Sequence, residues 1–189
     1  MTANLNDLTE ARNDISASSA GGAPFLIAYG ATFLVSGLLT FFLPAEIAAL
    51  VALFQGGVAL PLAFWLERRL ASRPMAPDNP LRPLSAQMAM SQALALPALI
   101  VAYSLNPRSV PVVLAALGGV HFLPYAWLHR TRAYIFLGMA VSLGAFLIQV
   151  LLGSVAFNLI LLYAGAVYWI TAAVVYREAK RLVAAQPAV

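Results

Sequence analysis

AYIFLGMAVSLGAFLIQVLLGSVAFNLILLYAGAVYWITAAVVY, residues 133–176, contains no Asp, Glu, Lys or Arg. About 20 apolar residues at 1.5 Å each cover the roughly 30 Å of hydrocarbon in a bilayer. This run is long enough to do so twice, with Gly153-Ser154 as the tight turn between the two passes. Water is absent from the hydrocarbon core, so each pass must pair its own backbone N–H and C=O groups. That makes each one a helix.

Working outward from this hairpin, six stretches qualify as spans: residues 24–43, 46–66, 86–104, 110–128, 133–152 and 155–176. Pro44 ends the first, and Glu46 sits where the next helix's N-terminal dipole favours an anion. Asn106-Pro107 and Pro111 mark the turn between the third and fourth. The one long loop, residues 67–85, holds the turn sequence Pro77-Asp78-Asn79-Pro80. The expected fold class is all-α, an integral membrane bundle of six transmembrane helices. A polar tail (residues 1–23) precedes the bundle (24–176), and a cytoplasmic tail (177–189) follows it.

Composition agrees. Of 189 residues, 62% are hydrophobic and 10% charged, against roughly 25% charged in soluble domains; mean hydropathy is +0.85. The absence of Cys removes thiolate metal sites, disulfides and Cys nucleophiles. The net charge of +4 does not point to nucleic acid, because the basic residues stand at the ends of apolar runs. The first 23 residues do not read as a cleaved signal, since they lack a basic start and lead into a full-length span.

Orientation follows from the Lys and Arg count. With the N-terminus inside, Arg12, Arg68, Arg69, Arg73, Arg82, Arg130, Arg132, Arg177, Lys180 and Arg181 are cytoplasmic, and only Arg108 is outside. The bias predicts both termini in the cytoplasm. Trp65, Trp127, Tyr134 and Tyr176 then fall where an aromatic belt belongs. In the N-terminal tail, Leu5, Leu8, Arg12 and Ile15 recur at helical spacing with Asn4 as a cap; a short surface helix competes there with a frayed tail. A faint repeat runs Gly56-Gly57, Trp65, Arg68; Gly118-Gly119, Trp127, Arg130; Gly165, Trp169, Arg177. It suggests three hairpins related about the membrane normal.

No charged residue lies within a span, which removes the buried carboxylate or Lys typical of proton-coupled pumps. His121 and His129 lie on one helix and cannot clasp a haem from both sides. No catalytic residue, metal site or cofactor is expected, and the chain is not expected to be an enzyme. The best constellation is a polar layer: Gln55, Gln92, His121, Ser142 and Tyr163 fall roughly 12 to 18 Å from the outer ends of their helices. Lipid would leave them unpaired at a cost of several kcal/mol, so they should turn inward and meet. Tyr125 is counted with them. The layer reads either as a small polar cavity or as interhelical glue. Gln149 and Asn158 fit a pair across the last hairpin. At the cytoplasmic face the candidates are Asn79, His129 and Arg130. Pro61, Pro97 and Pro124 should bend their spans, and Gly118-Gly119 and Gly138 with Ser142 allow close helix approach.

Gly119-Val120-His121-Phe122-Leu123-Pro124-Tyr125-Ala126-Trp127-Leu128 with Arg132-Ala133-Tyr134, and Asp78-Asn79-Pro80-Leu81 ahead of Gln92, resemble a family of small bacterial six-helix membrane proteins defined only as a domain of unknown function. The resemblance runs from about Leu5 to Arg181. It implies a bacterial inner membrane and brings no activity; it marks His121, Pro124, Tyr125, Trp127, Asn79 and Pro80 for attention. Three functions follow in order: a small-solute transporter or channel around the polar layer; an accessory protein binding membrane proteins or lipids; and a lipid-modifying enzyme at the cytoplasmic face. The expected partners are the bilayer, an unidentified small solute and, for a bundle this small, a second copy.

Overall fold

A computed structural model describes residues 8–185. The described chain is all-α. Its helices are α1 (Leu8–Ser18), α2 (Ala23–Leu39), α3 (Ala45–Phe54), α4 (Gly56–Leu70), α5 (Arg82–Ser91), α6 (Leu96–Leu105), α7 (Val110–His121), α8 (Leu123–Leu128), α9 (Ala133–Leu152) and α10 (Ala156–Ala184). By length and composition five stretches could cross a membrane: Ala20–Leu39, Ala45–Leu70, Arg82–Leu105, Pro107–Leu128 and Ala133–Ala184. The fifth turns back at Gly153 (φ 55°, ψ −120°), and α9 and α10 pack against each other. It therefore folds as two helices.

The helix ends move for local reasons. The first span stops at Leu39 rather than residue 43, because the Thr40 N–H and hydroxyl both turn back onto the Gly37 carbonyl (3.3 and 2.7 Å) and Pro44 follows. The third begins at Arg82, with Pro83 in its first turn, where a missing N–H costs nothing. The last continues to Ala184, since Lys180, Arg181 and Leu182 are good helix formers and no breaker intervenes.

α10 is the centre of the bundle. It lies along α2 and α9 and touches α7, while α4 flanks α2 and α7 pairs with α9. Close approach at two crossings depends on glycine. A Cβ on Gly30 would stand 2.5 Å from the Trp169 ring, and one on Gly165 would meet the Gly30 carbonyl at 2.8 Å. A Cβ on Gly119 would meet the Gly138 carbonyl at 2.6 Å, and one on Gly138 the Gly119 carbonyl at 2.7 Å. Around these points Leu26, Phe33, Val141, Ile160 and Leu161 form the core. The outer surface is itself apolar: Phe42, Leu94, Leu105, Phe146 and Leu151 are exposed. Soluble monomers rarely present apolar area on that scale.

α1 departs from the expected stripe. Leu8 is half exposed, whereas Ala11, Asp14, Ile15, Ser16, Ala17 and Ser18 are buried. The helix docks by its small and polar side. Asn4 and Leu5 lie outside the described residues. The three-hairpin pattern is also uneven: the second and fourth spans are distorted partway and so is the third, but α10 runs unbroken.

Candidate functional site

Three spans are distorted in mid-course, each beside a polar residue singled out from the sequence, while the backbone stays in the right-handed helical region. Gln55 joins α3 to α4, Gln92 opens a short 3-10 turn (Gln92–Ala95) between α5 and α6, and His121 ends α7 one residue before Phe122 and α8. Pro61, Pro97 and Pro124 lie just downstream of the distortions. Each lacks an N–H, and its ring crowds the carbonyl four residues earlier, which loosens the helix where the polar side chain sits.

The polar residues do not converge as one layer. The Thr32 hydroxyl donates to Gln55 Oε1. Ser91 Oγ lies 3.1 Å from His121 Nδ1, which ties the α5 end to the α7 end. Ser142 donates to the Ala116 carbonyl (3.1 Å) and Tyr163 to the Ala140 carbonyl (2.8 Å). Both hydroxyls are interhelical glue, because a carbonyl of the facing helix lies nearer than any layer partner. Gln149 caps its own helix end by donating to the Gly153 carbonyl (3.1 Å) instead of pairing with Asn158. No hydrogen bond among the described residues joins Gln55, Gln92 and His121 to one another.

An aromatic chain runs instead from Tyr29 to His121. Ring centroids step from Tyr29 to Phe33 (6.5 Å), Tyr168 (5.1 Å), Phe122 (5.3 Å), Tyr125 (6.1 Å) and His121 (5.2 Å). Among the described residues, the Gln92 amide and the hydroxyls of Tyr29, Tyr125 and Tyr168 make no hydrogen bond. Polar groups out of water are costly unless paired, so these four retain capacity for a hydrogen-bonding ligand.

The second cluster lies under α1. Asp14 is fully buried and Asn79 nearly so. Asp14 Oδ2 accepts from the Ala76 N–H (3.0 Å) and from Asn79 Nδ2 (2.8 Å). Its Oδ1 forms an ion pair with Arg73 (2.6 Å). Asn79 also donates to the Ala11 carbonyl (2.9 Å) and accepts from the Leu81 N–H (2.9 Å). Nearby, Ser16 Oγ lies 3.0 Å from His129 Nδ1, and the Tyr134 hydroxyl donates to the Gly21 carbonyl (2.6 Å). Burial pushes His129 down to about 4, so the ring is neutral. A cavity of about 10 Å³ beside Ser16, His129 and Glu178 has room for about one water. The sequence marked Asn79 and His129 but missed Asp14 and Ser16. The short, small-residue face they share with Ala11 and Ser18 was the available signal.

Arg130 turns outward. Its Nη1 reaches Asn13 (3.4 Å). Next to it Arg12 donates to the Trp127 carbonyl and lies 4.6 Å over the Trp127 ring. Burial, then the Arg130 charge, lowers the pKa of the Arg12 guanidinium. A groove of about 500 Å³ opens here between Leu123, Trp127, Arg130, Arg132 and Ile135.

The architecture is that of an apolar α-helical bundle with membrane-length helices, three of them distorted beside polar residues. Residues 8–178 match the model of a family described as a family of unknown function, DUF7010. The chain belongs to that family. No curated protein and no solved structure matches it.

Proposed function

We propose that this is an integral protein of the bacterial inner membrane, crossing six times with both termini cytoplasmic, and that it takes a small polar solute at mid-membrane as a transporter or channel. The carrying observation is the coincidence of three helix distortions with Gln55, Gln92 and His121. A distorted helical turn at membrane depth frees backbone groups that protein or a ligand must meet, and many transporters place a substrate site where a helix departs from regularity. The Gln92 amide and the Tyr29, Tyr125 and Tyr168 hydroxyls, unpaired among the described residues, supply donors and acceptors. The basic loops and the sequence resemblance support the placement and orientation.

The lack of Cys makes a direct test. Single variants Gln55→Cys, Gln92→Cys and Tyr125→Cys, with the lipid-facing Leu147→Cys as a control, are treated in membranes with a charged, water-soluble thiol reagent. Reaction at the three inner positions well above the control supports a wetted pathway. Silence at all three alongside the control removes it.

A second reading, an accessory protein that binds a membrane partner or a second copy, is favoured by the third span. Leu99 is the one buried residue described in α5 and α6, and Leu94 and Leu105 are 82% and 83% exposed. Lipid-modifying chemistry at the cytoplasmic face is supported least: Asn79 and His129, the residues suited to it, are turned inward and held by α1.

A further inference from the structure

The groove beside Trp127 is built where a span ends. Leu128 is buried and closes the apolar run, Thr131 Oγ1 accepts from the Ala133 N–H (3.0 Å), and α9 starts at once. The corner is tight enough to place Arg130 at φ 55°, a left-handed conformation that costs a non-glycine residue roughly 1 kcal/mol or more. The strained corner projects Arg130 and Arg132 to one side of Trp127, and Arg12 reaches the same ring from α1. Arg12 thus lies over the indole, and Arg130 and Arg132 line the groove beside it. No carboxylate forms an ion pair with any of them among the described residues; the one ion pair there is Arg73 with Asp14. Among the described residues, the buried Arg12 Nε has no hydrogen-bond partner. Away from the arginines, the groove wall is Leu123 and Ile135, both more than 40% exposed.

Positive charge at one end and an apolar trough at the other match one kind of molecule. An anionic headgroup would neutralise the arginines, and an acyl chain would cover the leucine and isoleucine. Trp127 sits between them, as an interfacial indole does. We propose that this groove binds one anionic phospholipid of the cytoplasmic leaflet, with its phosphate held by Arg130 and Arg132 and an acyl chain lying along Leu123 and Ile135. Arginine suits the task because its planar fork meets phosphate oxygens in pairs. The lipid would pin the corner between the fourth and fifth spans to the docked α1. The inference stands apart from the solute site, since the groove opens on the outside of the bundle.

The test reads Trp127 alone. The full chain carrying Trp65→Phe and Trp169→Phe is placed in phosphatidylcholine vesicles containing a fixed fraction of brominated lipid, either phosphatidylglycerol or phosphatidylcholine. Bromine quenches indole at contact. Brominated phosphatidylglycerol should quench Trp127 more strongly, each arginine contributing roughly five-fold to the preference. The preference should vanish in Arg130→Gln with Arg132→Gln. Equal quenching by the two lipids overturns the proposal, as does a preference that survives the double substitution. Inorganic phosphate in the buffer should leave the quenching intact; if it displaces the lipid fully, the site is for free phosphate and the lipid assignment falls. Trp169 donates to the Ile27 carbonyl (3.1 Å), so its replacement can weaken the fold. Native mass spectrometry of the unaltered chain from mixed micelles is therefore run alongside. One retained phosphatidylglycerol in preference to phosphatidylcholine is the expected result, and no preference overturns the proposal.

Discussion

Ser16 Oγ and His129 Nδ1 stand 3.0 Å apart across 113 residues of sequence, and that contact helps fasten the first described helix to the corner between the fourth and fifth spans. Burial keeps the imidazole in that contact neutral. His129 is 6% exposed, and burial lowers its pKa to about 4, against about 6.5 when free in water.

A pH dependence of α1 docking follows. When α1 lifts away the ring meets water and recovers its ordinary pKa. Between about pH 6.5 and pH 4 the undocked form then binds a proton that the docked form refuses. Docking stability therefore falls as pH falls through that window, and it is fully present above it. The shift corresponds to a loss on the order of 3 kcal/mol. Hydrogen exchange of residues 8–18 in nanodiscs should show protection declining across the window in the wild type. In His129→Gln the profile should be flat there. A wild-type profile as flat as the variant's would refute the assignment.

Asp14 should be the strongest single hold on α1. It is fully buried and takes three contacts from the 73–79 loop. Breaking a buried ion pair costs about 3–5 kcal/mol, and the low end applies because Arg73 is 43% exposed and can turn to water. Asp14→Ala should open α1 to protease and lower Tm. Asn79→Ala should do much the same, since it deletes bonds to the Ala11 carbonyl, Asp14 and the Leu81 N–H. The double variant should be less than additive, by roughly 1 kcal/mol or more. Strict additivity would mean that the two residues act separately.

Tyr163 and Ser142 separate glue from site. Each donates to a carbonyl on a neighbouring helix. Tyr163→Phe should cost about 0.6–2 kcal/mol in unfolding free energy and leave thiol labelling at Gln55→Cys and Gln92→Cys unchanged. Tyr125→Phe should do the reverse, because its hydroxyl makes no hydrogen bond among the described residues: little change in stability, but altered labelling at Gln92→Cys. Finding the two phenotypes exchanged would dissolve the distinction.

The long apolar stretches were legible in the sequence because hydrocarbon thickness dictates their length, and no tertiary detail overrides that. Gly118-Gly119 and Gly138 with Ser142 were legible as points of close approach, since small residues at helical spacing have few other uses between helices, but that Gly119 faces Gly138 was not. The positions of the helix distortions could be foreseen only in part. Pro61, Pro97 and Pro124 announced bending, but they did not show that it would fall beside Gln55, Gln92 and His121. The polar layer misled on one point. Depth along a helix says nothing of rotation about it, so Ser142 and Tyr163 met backbone carbonyls and not their neighbours in depth. α1 was the least legible element. Its hydrophobic spacing left a short surface helix in competition with a frayed tail, because Asp14 and Ser16 have partners, Asn79 and His129, that only the fold brings near.

The Gly119–Gly138 crossing yields the sharpest packing prediction. A methyl on Gly119 would lie 2.6 Å from the Gly138 carbonyl oxygen and 2.7 Å from Ser142 Cβ. Neither is the flexible end of a long side chain, so α7 and α9 must move apart to admit it. Overpacking of this kind costs about 1–3 kcal/mol, and separating the helices would also stretch the Ser142 bond to the Ala116 carbonyl. Gly57 offers the matched control. It too is a helical glycine, and a Cβ there meets nothing within 4 Å. Gly57→Ala should be neutral or stabilising by a few tenths of a kcal/mol, up to about 1, through helix propensity. Gly119→Ala should lower Tm in detergent, and Gly119→Val should lower it further, while Ser142→Ala should add little to either once the crossing is open. If Gly119→Ala melts with the wild type, the two helices do not approach as closely as this structure has them, and the packing account of the fourth and fifth spans fails with it.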